Sequence, residues 1–596
     1  MPHPTADIDA PIASVSQPAR PWLIAILLAL GIACWWFLGK GLSGAPLQWM
    51  CAIAAMVVGA MPGVSEITRR ALSPLHHPSL PRTLVIAGFI VLVVPTLLYL
   101  TAISQGRDFN LILHDEYSYR IQTLMLARGA LWQPAHELAD FFDGFQLLVR
   151  PVYASAYFPG TALLGVLCEW LHLPHWVMPL VAAGLVAGLI YLNITLLIDG
   201  FAGLLAVVML FSVTLFRTLS IMLLAQIPTL AMSLGTLACL LIWQRTRQRW
   251  LLIVGGFAFG WALLTRPLDA ACFVPVIIFL TLQPRLAPPR LGRLFLLATG
   301  LFPLIGLQLL FNRGVTGSFF DSPYSMYARA DNPGLTLGFH PFDPTTQPAS
   351  PLQQKQLIYQ QVTAPLIADH RPGNIPALWW NARLPAFLLY SIPHPLLLIL
   401  FPAGILWAMH FRLWILILPA ALTVAVYVFY PFFLPHYALM LAGGTIAACL
   451  GGQRLLAAYA GTFQSRVRFM LACATLALCV TSWPGIDVDA SDQMLDATFL
   501  RQVDDQLAAI PDARAVVLFR FSQKRDLNLE PVYNVETARI DDSRVIRAHD
   551  LGRRNPELFD YFARHQPDRV VYLFDESDNV LTRLGLPSEI RNPPVH

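Results

Sequence analysis

Two adjacent carboxylates, Asp115 and Glu116, stand in the stretch LILHDEYSYRIQTLMLARGALW, a few residues beyond a long apolar run. Ionised groups next to hydrocarbon are costly and rare, so their presence points to a function. Tyr117, Ile121, Leu124 and Arg128 fit a short amphipathic helix along the membrane surface, with Gly129 near its end. Asp115 at the start of that helix is expected as its N-cap, with Glu116 at the positive end of the helix dipole. Capping and catalysis are compatible, because a carboxylate held by a helix end is also well placed.

Cations and aromatics that could serve the same chemistry follow along the chain. LLTRPLDA puts Arg266 and Asp269 in a very short turn between two apolar runs, where Pro267 restricts the backbone. Their alternative reading is an interfacial arginine that snorkels or pairs with Asp269. FNRGVTG puts Arg313 just beyond a further run, either as a phosphate ligand or as a topological flank. FFLPHYALML puts His436 and Tyr437 at the end of a late run, as site residues or as interfacial packing. AYFPGTALLGVLCEWLHLP, 156–174, is apolar but short, and reads as an interfacial or re-entrant helix opened by Tyr157 and Pro159. His114, His136, His172 and His175 show no metal-ligand spacing on a helix face, so no metal centre is expected; a divalent cation at Asp115 and Glu116 is left open.

The elements that must position these residues are membrane spans. The 596-residue chain is 56% hydrophobic and only 13% charged, against about 25% charged in ordinary soluble domains. Thirteen apolar runs are long enough to count as spans: 22–38, 46–62, 84–103, 176–198, 201–216, 219–243, 250–265, 270–282, 294–311, 387–408, 413–430, 437–450 and 469–483, with 201–216, 270–282 and 437–450 the shortest. Alternate loops divide the basic residues unequally. One set carries Arg20, Arg69, Arg70, Arg82, Arg245, Arg247, Arg249, Arg285, Arg290, Arg293, Arg412, Arg454, Arg466 and Arg468, while the opposite short loops carry Lys40, Arg217 and Arg266. Positive charge marks the cytoplasmic side, so the N-terminus is expected inside and, with an odd number of spans, the C-terminus outside. The long segments 104–175 and 312–386 then lie outside. The N-terminal tail is acidic and proline-containing, which argues against a cleaved signal peptide. The net charge of +4 is small and gives no reason to expect nucleic-acid binding.

Beyond Trp483 the composition changes. RAVVLFRF (514–521) and DRVVYLF (568–574) read as strands, and ATFLRQVDDQLAAI and NPELFDYFARH have helical spacing. A small α/β domain is expected there, outside the membrane. The eight cysteines form no visible disulfide framework, and no internal repeat or low-complexity tract is seen.

An outer-face site has no access to cytosolic nucleotide sugars, so group transfer there needs a donor carried in the bilayer, such as a polyprenyl-phosphate sugar. At about 0.8 kcal/mol per buried CH₂ such a lipid does not leave the membrane. Its leaving group is already a phosphate anion. One base to take the acceptor proton and one or two cations to hold the phosphate are enough, without the paired carboxylates of glycoside hydrolysis.

The DEYSY box, the FPG helix start, the TRPLDA turn, the NRGVTGSFF exit and the HYALML helix, in this order, resemble the GT-C class of integral-membrane glycosyltransferases. Within it they are closest to the bacterial relatives of protein O-mannosyltransferases and of the lipid A aminoarabinose transferase. The resemblance covers roughly 84–450. It implies a GT-C-like catalytic domain at 84–483, two added spans in 1–83, and an extracytoplasmic α/β domain at 484–596 in a multi-pass inner-membrane protein. It also implies an inverting hexosyl- or pentosyltransferase that uses a polyprenyl-phosphate sugar, with Asp115 as general base, Glu116 beside it, and Arg266 and Arg313 as positional matches for phosphate contacts. His436 stands where relatives often have an arginine, and Tyr157-Phe158-Pro159-Gly160 where they often have YPPG. The acceptor is a glycolipid, a surface polysaccharide or a protein hydroxyl. Two other classes compete: a surface-polysaccharide ligase or polymerase, which relies on Arg and His in a long late outer loop, and a lipid-linked glycan transporter, which places ionisable groups at the bilayer midplane.

Overall fold

The computed structural model describes residues 46–61, 73–284, 288–483 and 497–590, with a few positions among 26–35 and at 63–64. The first apolar run, the N-terminal tail and Lys40, Arg69, Arg70 and Arg285 of the charge comparison lie wholly or largely outside the described residues.

Helices, most of them apolar, form the body: α1 (Pro46–Ala60), α2 (Leu80–Ser104), α3 (His114–Ala127), which is largely buried rather than laid along a surface, α4 (Gly160–Trp170), α5 (Val177–Leu197), α6 (Gly200–Ser212), α7 (Gln226–Thr246), α8 (Trp250–Thr265), α9 (Arg290–Thr316), α10 (Trp414–Val426), α11 (Ala442–Tyr459) and α12 (Gln464–Ser482). Six helices among the described residues are long and apolar enough to cross a membrane: α2, α5, α7, α9, α11 with its lead-in from Pro435, and α12. A seventh span is counted if Ile375–Ser391 and Pro395–Trp407, bent by 103° at their junction, act as one. The chain is a multi-pass membrane protein.

The thirteen runs read from the sequence are not thirteen full-length spans here. The run 201–216 stops at Ser212, where Val213 turns extended, and α7 starts only at Gln226 rather than at 219. The run 387–408 breaks between Ser391 and Pro395, and α1, α6, α8, Pro267–Leu282 and Trp414–Phe429 remain short apolar helices. Apolarity measures burial in lipid or protein alike, whereas helix length is cut by prolines and turns that it does not register.

Small residues let these helices close up, as expected where lipid supplies no hydrophobic drive between them. A Cβ at Gly300 of α9 would lie 2.6 Å from the backbone nitrogen of Phe257, and one at Gly256 of α8 would strike the Leu297 carbonyl, so both glycines are needed at the α8–α9 contact. α5 packs between α2 and α7, and α12 rests on α1, α6 and α11. Arg217, counted in an outer loop, is buried and donates to the carbonyl of Phe211.

The C-terminal domain has a four-stranded sheet in the order β5-β4-β6-β7, with β4 (Ala515–Arg520) parallel to β5 (Val545–His549) and β6 (Val570–Asp575), and β7 (Val580–Gly585) antiparallel at the edge. α13 (Thr498–Ala508) and α14 (Asn555–His565) carry buried apolar stripes onto it. The segment between α3 and α4 forms a small sheet of β1 (Gln133–Pro134), β3 (Val152–Ser155) and β2 (Leu147–Leu148).

Candidate active site

α3 begins at His114, and the residue in the N-cap position is Leu113, not Asp115. Leucine has no polar side chain to cap the first turn; instead Glu116, at the third helical position, reaches back to the amides that lead into the helix. Glu116 Oε2 accepts from the backbone N–H of Leu113 and of Ile112, both at 3.1 Å. Its Oε1 accepts from the N–H of Leu223, 2.9 Å away in the non-helical stretch that precedes α7. Glu116 is thus 2% exposed and fully engaged with backbone. Burial pushes its carboxyl up to about 7, against the downward pull of the three amides.

Asp115 differs in every respect. It is half-buried rather than sealed. Its Oδ1 accepts from the Tyr157 hydroxyl at 2.7 Å, and its Oδ2 has no hydrogen-bond partner among the described residues. Burial raises the Asp115 carboxyl above the usual carboxylate range, while the Tyr157 hydrogen bond and the charge of Arg266 pull the other way. A carboxylate with one oxygen anchored, one free and a raised proton affinity is suited to accept a proton.

The FPG segment brings Tyr157 there. Pro159 occupies the N-cap position of α4, and Gly160 abuts the end of α8: a Cβ on it would collide with Thr265 Oγ1 and lie 2.8 Å from the Leu264 carbonyl. Trp261 Nε1 closes the contact on the Gly160 carbonyl at 2.8 Å. Only glycine allows this approach, which places Tyr157 beside the turn that carries Arg266.

Arg266 donates through Nε to Asp269 and through Nη2 to the Tyr427 hydroxyl at 2.8 Å, and its guanidinium lies 4.7 Å over the Tyr437 ring. Asp269 is 1% exposed and also receives the Tyr427 hydroxyl at 3.3 Å. The pairing expected of Arg266 and Asp269 is therefore present, and it leaves Nη1 without a partner among the described residues. His436, 4% exposed, sits edge-on to Tyr437 with its Nε2 buried and unpartnered. Arg313 is not joined to this group by any contact: it is exposed, caps its own helix through the Gly317 carbonyl and lies 5.8 Å over Phe319.

Further tyrosines complete the wall. Tyr157 stacks on Tyr119 at 4.8 Å and faces Tyr324 at 6.1 Å; the Tyr324 and Tyr430 hydroxyls meet at 2.7 Å. Buried Arg383 fixes the late segment by donating to the carbonyls of Tyr427, Tyr430 and Pro431 at 2.8–2.9 Å. Sequence reading missed Tyr324, Tyr427, Tyr430 and Arg383. The dense aromatic run VYVFYPFFLPHY ahead of His436 was the available signal.

The group stands at one end of the bundle. α11 and its lead-in run from His436 to Arg454, roughly 27 Å at 1.5 Å per residue, about a hydrocarbon thickness. At the far end Arg454 pairs with buried Asp199, the N-cap of α6, which Arg468 approaches at 3.9 Å.

The C-terminal domain reaches the acidic box directly. Tyr533, 1% exposed, stacks on Tyr117 at 4.4 Å, and its hydroxyl meets His114 Nδ1 at 3.0 Å. Buried Lys355 joins Asp143, in the segment between α3 and α4, to Asp331, in the segment after α9, at 2.8 and 2.6 Å.

Among the described residues no group of three or more His, Cys, Asp and Glu side chains is placed to hold a metal ion. With both Glu116 oxygens on amides, the acidic pair offers a cation one free carboxylate oxygen, on Asp115.

No family model matches the chain, and no curated protein matches it. Solved structures do. ArnT from Cupriavidus metallidurans bound to undecaprenyl phosphate is 14% identical, covering 83% of this chain and 93% of that chain at a TM-score of 0.39. The oligosaccharyltransferase of Archaeoglobus fulgidus tethered to an acceptor peptide is 13% identical, covering 73% and 61% at a TM-score of 0.41. Its complex with Zn and sulfate is 14% identical, covering 73% and 60% at a TM-score of 0.40. At this identity and superposition no residue's role passes from those proteins to this one.

Proposed function

We propose that this chain is a membrane glycosyltransferase that moves a sugar from a polyprenyl-phosphate donor to an extracytoplasmic acceptor, with Asp115 as general base. The observation that carries it is the Asp115 carboxylate, with one oxygen held by Tyr157 and one free, within the field of the Arg266 guanidinium at one end of a span-length bundle.

In the reaction, Asp115 Oδ2 takes the proton of the acceptor hydroxyl. The acceptor oxygen bonds to the anomeric carbon from the face opposite the phosphate, so configuration inverts. The bond from that carbon to the phosphate oxygen breaks, and its electron pair leaves on the polyprenyl phosphate. Arg266, already balanced by Asp269 and braced by Tyr427 and Tyr437, offers Nη1 to that anion, and His436 Nε2 offers a further polar contact. Arg313 takes part only through a change in its own capping contact. A divalent cation, if used, would be held by Asp115 and donor phosphate oxygens rather than by Glu116. The protein lies in the inner membrane with its N-terminus inside and its C-terminal domain outside.

The ligase reading needs free outer arginines, and the most buried one of the late segment, Arg383, is already committed to three carbonyls. The test is a comparison of cell-envelope glycans between wild-type cells and cells lacking the gene. A sugar missing from one glycan class and restored by the wild-type gene but not by an Arg266→Ala variant supports the assignment. Identical glycans in the two strains would overturn it.

A further inference from the structure

A cavity of about 410 Å³ opens between β1, β3 and the C-terminal domain, away from the Asp115 group. Its polar wall is built rather than incidental. The Leu138 N–H donates to His136 Nδ1 at 2.9 Å, which puts the ring proton on Nε2, and Nε2 faces Asp541 at 3.2 Å. Tyr561 donates to the other Asp541 oxygen at 2.7 Å and sets its ring edge against His136 at 4.9 Å. Around this fixed triad stand polar groups with no partner among the described residues. Tyr153 is 6% exposed and lines the cavity, yet its hydroxyl makes no hydrogen bond; the side chains of Glu137 and Arg539 at the rim are also free.

We infer that this cavity is a saccharide-binding subsite for the acceptor. Sugar rings present apolar faces and a rim of hydroxyls that both donate and accept, and the wall answers with the rings and hydroxyls of Tyr153 and Tyr561, the carboxylates of Glu137, Asp541 and Asp542, and the Arg539 guanidinium. A phosphorylated ligand would need concentrated positive charge, but Arg539 is the free cation here, since Arg128 nearby already faces Asp542. The volume lies near the low end of the roughly 300–1,000 Å³ typical of ligand pockets, room for about one or two sugar rings. The chain leaving β3 leads from the cavity toward the reacting group: Tyr153 is on the strand and Tyr157 two residues past its end, a chain distance of at most roughly 13 Å. A glycan bound in the cavity can therefore present a hydroxyl a residue or two further on to Asp115. That last role rests on the function proposed above; saccharide binding itself does not.

The test uses the full-length protein in lipid nanodiscs and, as probe, the water-soluble oligosaccharides released by mild acid from the envelope of the cells that make it, read by saturation-transfer NMR. Wild-type protein and Asp115→Asn should give equal transfer to saccharide protons. Ala135→Trp, which fills the cavity, and Glu137→Gln with Arg539→Gln, on exposed side chains that make no hydrogen bond or ion pair among the described residues, should each weaken binding at least tenfold with unchanged thermal midpoints. No transfer to wild-type at millimolar saccharide, or equal binding by both variants, would overturn the subsite. If binding follows the expected pattern while cells lacking the gene keep wild-type glycans, the subsite stands and the proposed function falls; if Asp115→Asn still transfers sugar, only the assignment of the base falls.

Discussion

Replacing Glu116 with alanine should cost more stability than any other single change in the acidic box. Its two oxygens serve three backbone amides, of Ile112, Leu113 and Leu223, at 2.9–3.1 Å, and the residue is 2% exposed. Alanine leaves these donors without their acceptor. At about 1–3 kcal/mol for each buried group left unpaired, and allowing for water entering the space, the loss is about 3–6 kcal/mol. That is a large fraction of the roughly 5–15 kcal/mol that holds a domain folded. Glutamine keeps one acceptor oxygen and turns an amide toward the remaining donors, so about half the loss is expected. The pH dependence has a definite sign. Folding raises this carboxyl from 4.5 to about 7, so the folded state binds the proton more tightly than the unfolded one. The stability this provides is full below pH 4.5 and is lost as pH rises through 7, about 3 kcal/mol in all. Thermal unfolding in detergent between pH 5 and 8 measures both effects. Glu116→Ala should unfold many degrees earlier, and Glu116→Gln should flatten the slope. An alanine variant within a degree or two of wild-type would refute the division of labour between the two carboxylates.

Tyr157→Phe removes the hydrogen bond that holds Asp115 Oδ1 and pulls its proton affinity down. The acid limb of the pH–rate profile should shift upward and kcat should fall about tenfold with KM little changed, the effect of about 1.4 kcal/mol lost at the transition state. Lys355→Met strands buried Asp143 and half-buried Asp331 without their cation. A loss of about 3–5 kcal/mol is expected, seen as early cleavage of the segments around Asp143 and Asp331 in limited proteolysis. Glu576 is 5% exposed, and burial, with Glu530 second, pushes it up to about 8. Its stabilising contribution is therefore full below pH 4.5 and lost as pH rises through 8, and Glu576→Gln should raise the thermal midpoint at pH 9 while leaving it nearly unchanged at pH 4.5.

The acidic box shows how far the residues alone could be read. Two carboxylates after an apolar run stand out at once, but their roles do not. Which one caps depends on Leu113 ending the extended approach, and on the amide of Leu223, more than a hundred residues away, reaching the third position of the helix. Tyr157 and Arg266 were marked by local turns, Pro159-Gly160 and Arg266-Pro267, that have signatures in sequence. Tyr324, in the short helix Pro323–Asp331, and Tyr430, just past α10, meet only in the folded chain, and a hydroxyl pair between segments 106 residues apart has no local signature. Strands β4 and β6 were legible because they are continuous apolar runs buried on both faces. The docking of Tyr533 against His114 was not, because nothing in the sequence around either residue names its partner.

The account depends most on Asp115 as the base. Sugar transfer by the Asp115→Asn variant, measured beside retained binding of undecaprenyl phosphate and a thermal midpoint equal to wild-type, tests this directly. Loss of a general base removes about 10²–10⁴-fold in rate, so kcat should fall at least a hundredfold while lipid binding persists. Transfer within tenfold of wild-type would show that another group takes the proton and would contradict the mechanism.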